Sequence, residues 1–254
     1  MGTGGDRGAG RGGRFFLCGA AVDALSAADA ADVVARVVAE RRAGRLRRAL
    51  TVLEVDAGAV ALACRDAAFG RDLCGADLLL ASGGPVRWMA AALGAPLPPP
   101  PGTGEVVARV AARCGREGAS ALVIGTAAAA AEAARLVAAS RPAPALAGVV
   151  EVGDGFAAGP DEVGRICGLA SAAGAEVIFV ALAPPIRERF MSRARDLFPA
   201  AALVAAPGPR DGRAGAGARA LGVDAALLSR FGVSLAARLA GVGSSRPLRR
   251  GARG

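Results

Sequence analysis

The 254-residue chain contains no histidine, lysine, asparagine, glutamine or tyrosine, and all 31 of its basic residues are arginine. The five absent residues share A-rich codons, so a GC-rich coding sequence accounts for the pattern. The chemical consequence is independent of its origin. Without histidine there is no Ser-His-Asp or Cys-His arrangement, and without lysine there is no Schiff-base amine. Proton transfer falls to Asp, Glu or Cys, with Arg as the fixed cation. Aromatic residues make up only 4% of the chain, too few for the stacking platforms of a single-strand nucleic-acid binder.

The five cysteines, Cys18, Cys64, Cys74, Cys114 and Cys167, include no CxxC pair and are odd in number. They read as reduced, small core residues, and no metal site is expected from them. The Gly/Arg-rich start lacks the apolar stretch of a signal peptide. No uninterrupted apolar run reaches the about 20 residues that cross a bilayer. The expectation is a cytoplasmic protein, with peripheral contact at the inner face of the plasma membrane as an option.

What the chain does have is aliphatic bulk and positive charge at its ends. Hydrophobic residues account for 53%, much of it alanine, which suits a tightly layered core. The net charge is +9. Residues 1–14 carry Arg7, Arg11 and Arg14 against Asp6, and residues 241–254 carry Arg246, Arg249, Arg250 and Arg253 without an acid. Such ends suit phosphate-bearing ligands or an anionic lipid surface, or are simply solvated tails. Four arginines near anionic lipid, at about 1 kcal/mol each, give reversible adhesion.

Apolar runs alternate with helical patterns along the chain. Strands are predicted at 14–18, 48–55, 77–81, 120–125, 145–152, 175–182 and 201–206. Helices are predicted from Ser26 to about 42, over 57–64 and 67–74, from the Gly84-Pro85 turn to 93, from Thr103 to about 116, over 127–139, from Asp161 to about 173, and over 185–197. Ser26 with Asp29 forms a capping-box arrangement, and Asp161 and Glu162 suit the dipole of a first helical turn. Continuous apolar strands alternating with helices predict a Rossmann-like α/β fold, a mostly parallel sheet with helices on both faces. The boundaries are a Gly/Arg-rich tail at 1–14, the α/β domain at 15–206, and a small C-terminal helical appendage with its basic tail at 207–254.

The segment "DAAFGRDLCGADLLLASGG" (66–84) sends a buried strand into a Gly-rich turn at a helix start, where parallel α/β folds set their ligand sites. It resembles the "D-P-x-F…ADLVLADG" pattern of the WecG/TagA/CpsF family of bacterial glycosyltransferases. "VDALSAADAADVV" (22–34), "GDGF" (153–156), "FVALAPPIRERF" (179–190), "RDGRAG" (210–215) with Arg219-Ala220, and "FGVSLAARL" (231–239) are similar to further family segments in the same order. The resemblance implies an inverting transferase. It would move an N-acetylhexosamine-type sugar from a UDP-sugar to a polyprenyl-diphosphate-linked acceptor, in cell-wall or surface-polysaccharide synthesis.

Carried over position by position, the resemblance implies a substituted site. The family's catalytic aspartate falls on Ser82, a residue that GC pressure does not explain. Its Thr-x-Asn falls on Glu54-Val55-Asp56, with Thr51 upstream. Of its Pro-Lys-Gln-Glu, Pro185 and Glu188 remain, with Ile186 and Arg187 between. The family's "ERV" arginine falls within 98–101 and is absent, and the Glu-Trp of its final helix becomes Ser234-Leu235.

The catalytic candidates are therefore Glu54, Asp56 and Ser82. Either carboxylate is a surrogate base, or the two attract a divalent cation, or they are solvated strand-end acids. The substrate-binding candidates are Gly83, Gly84, Thr103, Gly104, Pro185, Arg187 and Glu188. Arg187 either complements the diphosphate or pairs with Glu188. "GTGEVV" (102–107) lacks the third glycine and the preceding strand of a dinucleotide fingerprint. The rival expectations are a non-catalytic relative that binds a nucleotide sugar or a partner protein, and an unrelated nucleotide-binding α/β protein.

Overall fold

The computed structural model describes residues 14–17, 19–92, 97–99, 104–153, 155–198 and 200–208. Elements follow in the order β1 (Arg14–Leu17), β2 (Ala20–Asp23), α1 (Ala27–Arg42), β3 (Leu50–Val55), α2 (Ala57–Ala63), α3 (Ala67–Cys74), β4 (Leu78–Ala81) and α4 (Gly84–Ala92). Then come α5 (Glu105–Arg116), β5 (Ser120–Gly125), α6 (Ala127–Ala139), β6 (Ala145–Glu151), α7 (Pro160–Ala172), β7 (Val177–Ala181), α8 (Ile186–Leu197) and β8 (Ala202–Ala205). The strands form one sheet in the order β1-β2-β4-β3-β8-β7-β5-β6. β1 is antiparallel to β2, and the other seven strands are mutually parallel. The expected Rossmann-like α/β architecture is present. The opening strand predicted at 14–18 is β1, and a second strand that was not predicted, β2, pairs back on it after Gly19, which takes φ +87°.

Strands β4, β7 and β8 are buried along their whole length, as central parallel strands must be. Alternation sends Val52, Leu78, Leu80, Val123, Phe179 and Val204 into one layer with the apolar faces of α1, α5 and α6. Those faces are rich in alanine, with Ala30, Ala31, Ala111, Ala130 and Ala133 all buried. Small side chains let backbones approach closely, so a chain poor in aromatics still fills its core. α3 and α8 lie against each other on the sheet's other side, burying Phe69, Leu73, Phe190 and Met191. Each such side chain contributes about 1.5–3 kcal/mol of burial.

Helix starts follow their local chemistry. The Ser26 hydroxyl accepts from the Asp29 amide at 3.2 Å, and the Asp29 carboxylate accepts from the Ser26 amide at 2.9 Å, so the capping box forms. Glu162 in the first turn of α7 accepts the Gly159 amide at 2.8 Å.

At the amino ends of β3 and β4, Asp77 accepts from the Thr51 amide at 2.9 Å and from the Thr51 hydroxyl at 3.0 Å. It also accepts from Arg195 at 2.9 Å and Arg48 at 3.0 Å. The Asp77 amide in turn donates to the Thr51 hydroxyl at 3.0 Å. This staple fixes a register in which Glu54 lies opposite Leu80, and Val55 opposite Ala81. A one-residue slip would turn Glu54 to the sheet's other face.

Not every sequence expectation holds. Cys114 and Cys167 are buried, but Cys64 and Cys74 are exposed, because they close short helices on their outer sides. All four are free thiols. The described residues fall in one compact unit within 1–214. The appendage expected beyond 208, with its "RDGRAG" and "FGVSLAARL" segments, lies outside the described residues, as do the Gly/Arg-rich start, Cys18 and Thr103. Among the described residues, no helix is long and apolar enough to cross a membrane.

Candidate functional site

Seven parallel strands point their carboxyl ends at one edge of the sheet, and that edge carries the polar residues. At the end of β3, Glu54 is half-buried on the same side of the sheet as Val52. Val55 then closes the strand, and the exposed Asp56 caps α2. The Asp56 carboxylate accepts the Ala59 amide at 2.7 Å, the bond an N-cap makes.

On the neighbouring strand, the Ser82 amide donates to the Val55 carbonyl at 2.8 Å, which carries the β3–β4 pairing one residue past Ala81. The Ser82 side chain thereby lies beside Glu54, and its hydroxyl favours the ionised form of that carboxylate. Gly83 follows with φ +81°, a left-handed conformation that turns the chain into α4 and disfavours any side chain. At Gly84 an added Cβ would meet open space.

The third contribution comes from the start of α8, across β8 from β3 in the sheet order. Arg187 is 13% exposed and Glu188 1% exposed. The Arg187 Nε and Nη2 groups donate to a single Glu188 oxygen, Oε1, at 3.0 and 2.7 Å. The other oxygen, Oε2, is buried with no hydrogen-bond partner among the described residues.

Two cavities meet at this place. One, of about 380 Å³, is lined by Glu54, Asp56, Ser82, Pro184, Arg187 and the Gly58–Leu62 face of α2. The other, of about 130 Å³, is lined by Glu54, Ser82, Arg187, Gly104 and the end of β8 with the residues after it (Ala205, Ala206 and Pro207). Glu54, Ser82 and Arg187 are common to both. Gly104, at φ +79°, precedes α5 without a side-chain cap, and a Cβ there would lie 2.9 Å from a Leu136 methyl. The left-handed backbone and the nearness of Leu136 both favour glycine at this position in the wall of the smaller cavity.

Electrostatics single out Glu54. Burial is the largest influence and pushes its carboxyl above the ordinary glutamate range. Arg187 and the Ser82 hydroxyl pull it back down, while Asp56 and Glu105 push it up again. A carboxylate raised in this way holds a proton more strongly than a solvated one, which is what a general base near neutral pH requires. Among the described residues no group of three or more Asp, Glu, His or Cys side chains is placed to hold a metal ion.

The structure thus brings Glu54, Asp56, Ser82, Gly104 and Arg187 to two adjoining cavities. Gly83, Gly84 and Pro185 flank them without lining either, and Glu188 lies buried behind Arg187. Pro184, Ala205, Ala206 and Pro207 were not anticipated, because the sequence does not say that β8 pairs with β3. Gly58, Ala59 and Leu62 were not named from the sequence either; the N-cap position of Asp56 before a helix was the signal that could have found them.

The model of the glycosyl transferase WecG/TagA/CpsF family matches residues 15–220. The chain belongs to this family. No curated protein sequence matches it. Membership in the WecG/TagA/CpsF family points to a glycosyltransferase of cell-wall polysaccharide synthesis, and in general to a nucleotide-sugar donor and a lipid-linked acceptor. A WecG/TagA/CpsF transferase needs one carboxylate for the acceptor proton and cationic or N–H groups for the departing diphosphate. The cavity edge carries one half-buried carboxylate, Glu54, and one arginine, Arg187.

Proposed function

We propose that this WecG/TagA/CpsF protein transfers an N-acetylhexosamine-type sugar from a UDP-sugar to a polyprenyl-diphosphate-linked acceptor, with Glu54 as its base. The observation that carries this reading is the Glu54 carboxylate lying against Ser82, the position on which the family resemblance sets the catalytic aspartate. The carboxylate has moved by one strand and not left the cavity. In the reaction the acceptor hydroxyl oxygen attacks the anomeric carbon and passes its proton to Glu54. The bond between that carbon and the diphosphate oxygen breaks, its electron pair leaves with UDP, and the configuration inverts. Arg187 stabilises the charge that develops on the diphosphate. Asp56 serves mainly as the cap of α2 and as a wall of the larger cavity. The basic chain ends suit an anionic membrane face where a polyprenyl acceptor resides, which agrees with a peripheral cytoplasmic protein.

Ser82 favours one alternative, a relative that binds a nucleotide sugar without transferring it. Calorimetric titration with UDP and a panel of UDP-sugars, with and without a divalent cation, followed by an assay of UDP release in the presence of a polyprenyl-diphosphate-sugar, decides between them. Binding with acceptor-dependent UDP release supports the transferase. Binding without release supports the alternative, and no binding to folded protein removes both.

A further inference from the structure

Arg187 and Glu54 line the same two cavities, yet they form no ion pair. The reason lies one residue along α8. Glu188 is 1% exposed, and it gives Oε1 to both the Nε and Nη2 groups of Arg187. Its Oε2 is left buried without a partner among the described residues. A carboxylate held in that state is costly unless it performs a task, because each unsatisfied buried acceptor carries a desolvation penalty. Among the described residues, the side chain hydrogen-bonded to it is that of Arg187. Engaging Nε and Nη2 fixes the plane of the guanidinium and leaves Nη1, with two N–H groups, as the donor end free for a ligand.

We propose that Glu188 is a positioning residue: it clamps Arg187 by one edge, keeps the guanidinium from collapsing onto Glu54, and presents Nη1 to the diphosphate of a nucleotide donor. This inference rests on the nucleotide-sugar reading above and deepens it. Two carboxylates compete for one cation, and the more deeply buried one holds it. Glu54 then stays free to take a proton, while Arg187 stays available to an anion. Without Glu188, the guanidinium would swing to the remaining carboxylate, Glu54, and both functions would suffer together.

A binding cycle read with UDP, uridine and inorganic pyrophosphate tests this, with thermal unfolding to confirm the fold of each variant. Glu188→Ala is expected to weaken UDP binding about tenfold, as the loss of a charge-assisted contact would, and to leave uridine binding within about twofold. Glu188→Gln, which keeps an acceptor for Arg187, should recover most of the affinity. Arg187→Ala should match Glu188→Ala, and the double variant should be no weaker than Arg187→Ala alone, because Glu188 acts only through Arg187. A merely structural Glu188 would weaken uridine and UDP alike, with additive losses in the double variant, and either result overturns the proposal. UDP binding that is untouched by Glu188→Ala overturns it while leaving the nucleotide-sugar reading intact. Pyrophosphate binding that follows the same cycle in a protein blind to uridine and UDP upholds the clamp and removes the nucleotide. Binding of neither anion overturns both.

Discussion

The two carboxylates at the end of β3 can be separated by a single pair of substitutions at Asp56. Its carboxylate accepts the Ala59 amide at 2.7 Å and begins α2, a seven-residue helix whose Ala57, Val60 and Ala61 are buried. Asp56→Ala removes that acceptor and leaves an amide of the first turn without it, a loss of about 1 kcal/mol. In a domain of this size that lowers the melting temperature by about 2–4 °C. Asp56→Asn removes the charge but keeps a good cap, so its melting temperature should stay within about 1 °C of the parent. If Asp56 is a cap and Glu54 the base, the Asn variant retains UDP release within a few-fold of the parent. Thermal unfolding and UDP release, measured on the same preparations, give both readings. Abolished release in a fully stable Asp56→Asn protein would refute the reasoning, because the base would then be Asp56.

Other predictions follow from groups away from the cavities. Asp77→Ala breaks the staple that joins Thr51, Arg48 and Arg195, and should cost about 2–4 kcal/mol in urea unfolding. Arg42 donates two hydrogen bonds to Glu176 and holds its carboxyl below the ordinary 4.5. A depressed folded value means stability that is present above pH 4.5 and lost as pH falls through that lower value. Glu176→Gln should therefore be less stable than the parent at pH 7, with urea midpoints that converge as the pH drops below 4.5. Burial pushes the Cys114 thiol up to about 12 and the Cys167 thiol to about 11, whereas Cys64 and Cys74 are exposed. Mass spectrometry after brief alkylation at pH 7.5 should find Cys64 and Cys74 modified in native protein, with Cys114 and Cys167 modified only after unfolding.

Most strands and helices were legible because their signals are local. "SALVIG" and "VIFVA" are uninterrupted apolar runs, and Ser26, Asp66 and Glu162 stand where helix caps stand. β2 was not predicted because "GAAVD" is short and follows directly on the first strand, and the left-handed backbone of Gly19 that makes the turn leaves no local apolar pattern. Strand order is a property of non-local pairing, so the meeting of β8 with β3, and with it the wall formed by Ala205, Ala206 and Pro207, had no local trace. Of the site, Glu54, Ser82 and Arg187 could each be named from the family resemblance. What the residues alone did not show is that the first two lie against each other, whereas the pairing of Arg187 with Glu188, one of the two alternatives read for Arg187, is present. The first relation depends on a register set at the opposite end of the strands, by Asp77 and Thr51.

The central claim is that the base has moved from the end of β4 to the end of β3. The most direct test is UDP release in the presence of acceptor by the parent, by Glu54→Gln, and by Glu54→Gln combined with Ser82→Asp. Loss of a general base costs about 10²–10⁴-fold, so Glu54→Gln should fall by that much. Its stability at pH 7 should be no lower, because a group whose folded value is raised loses stability as it ionises, and glutamine does not ionise. Restoring a carboxylate at position 82 should recover part of the lost rate. A Glu54→Gln protein as active as the parent would contradict the account.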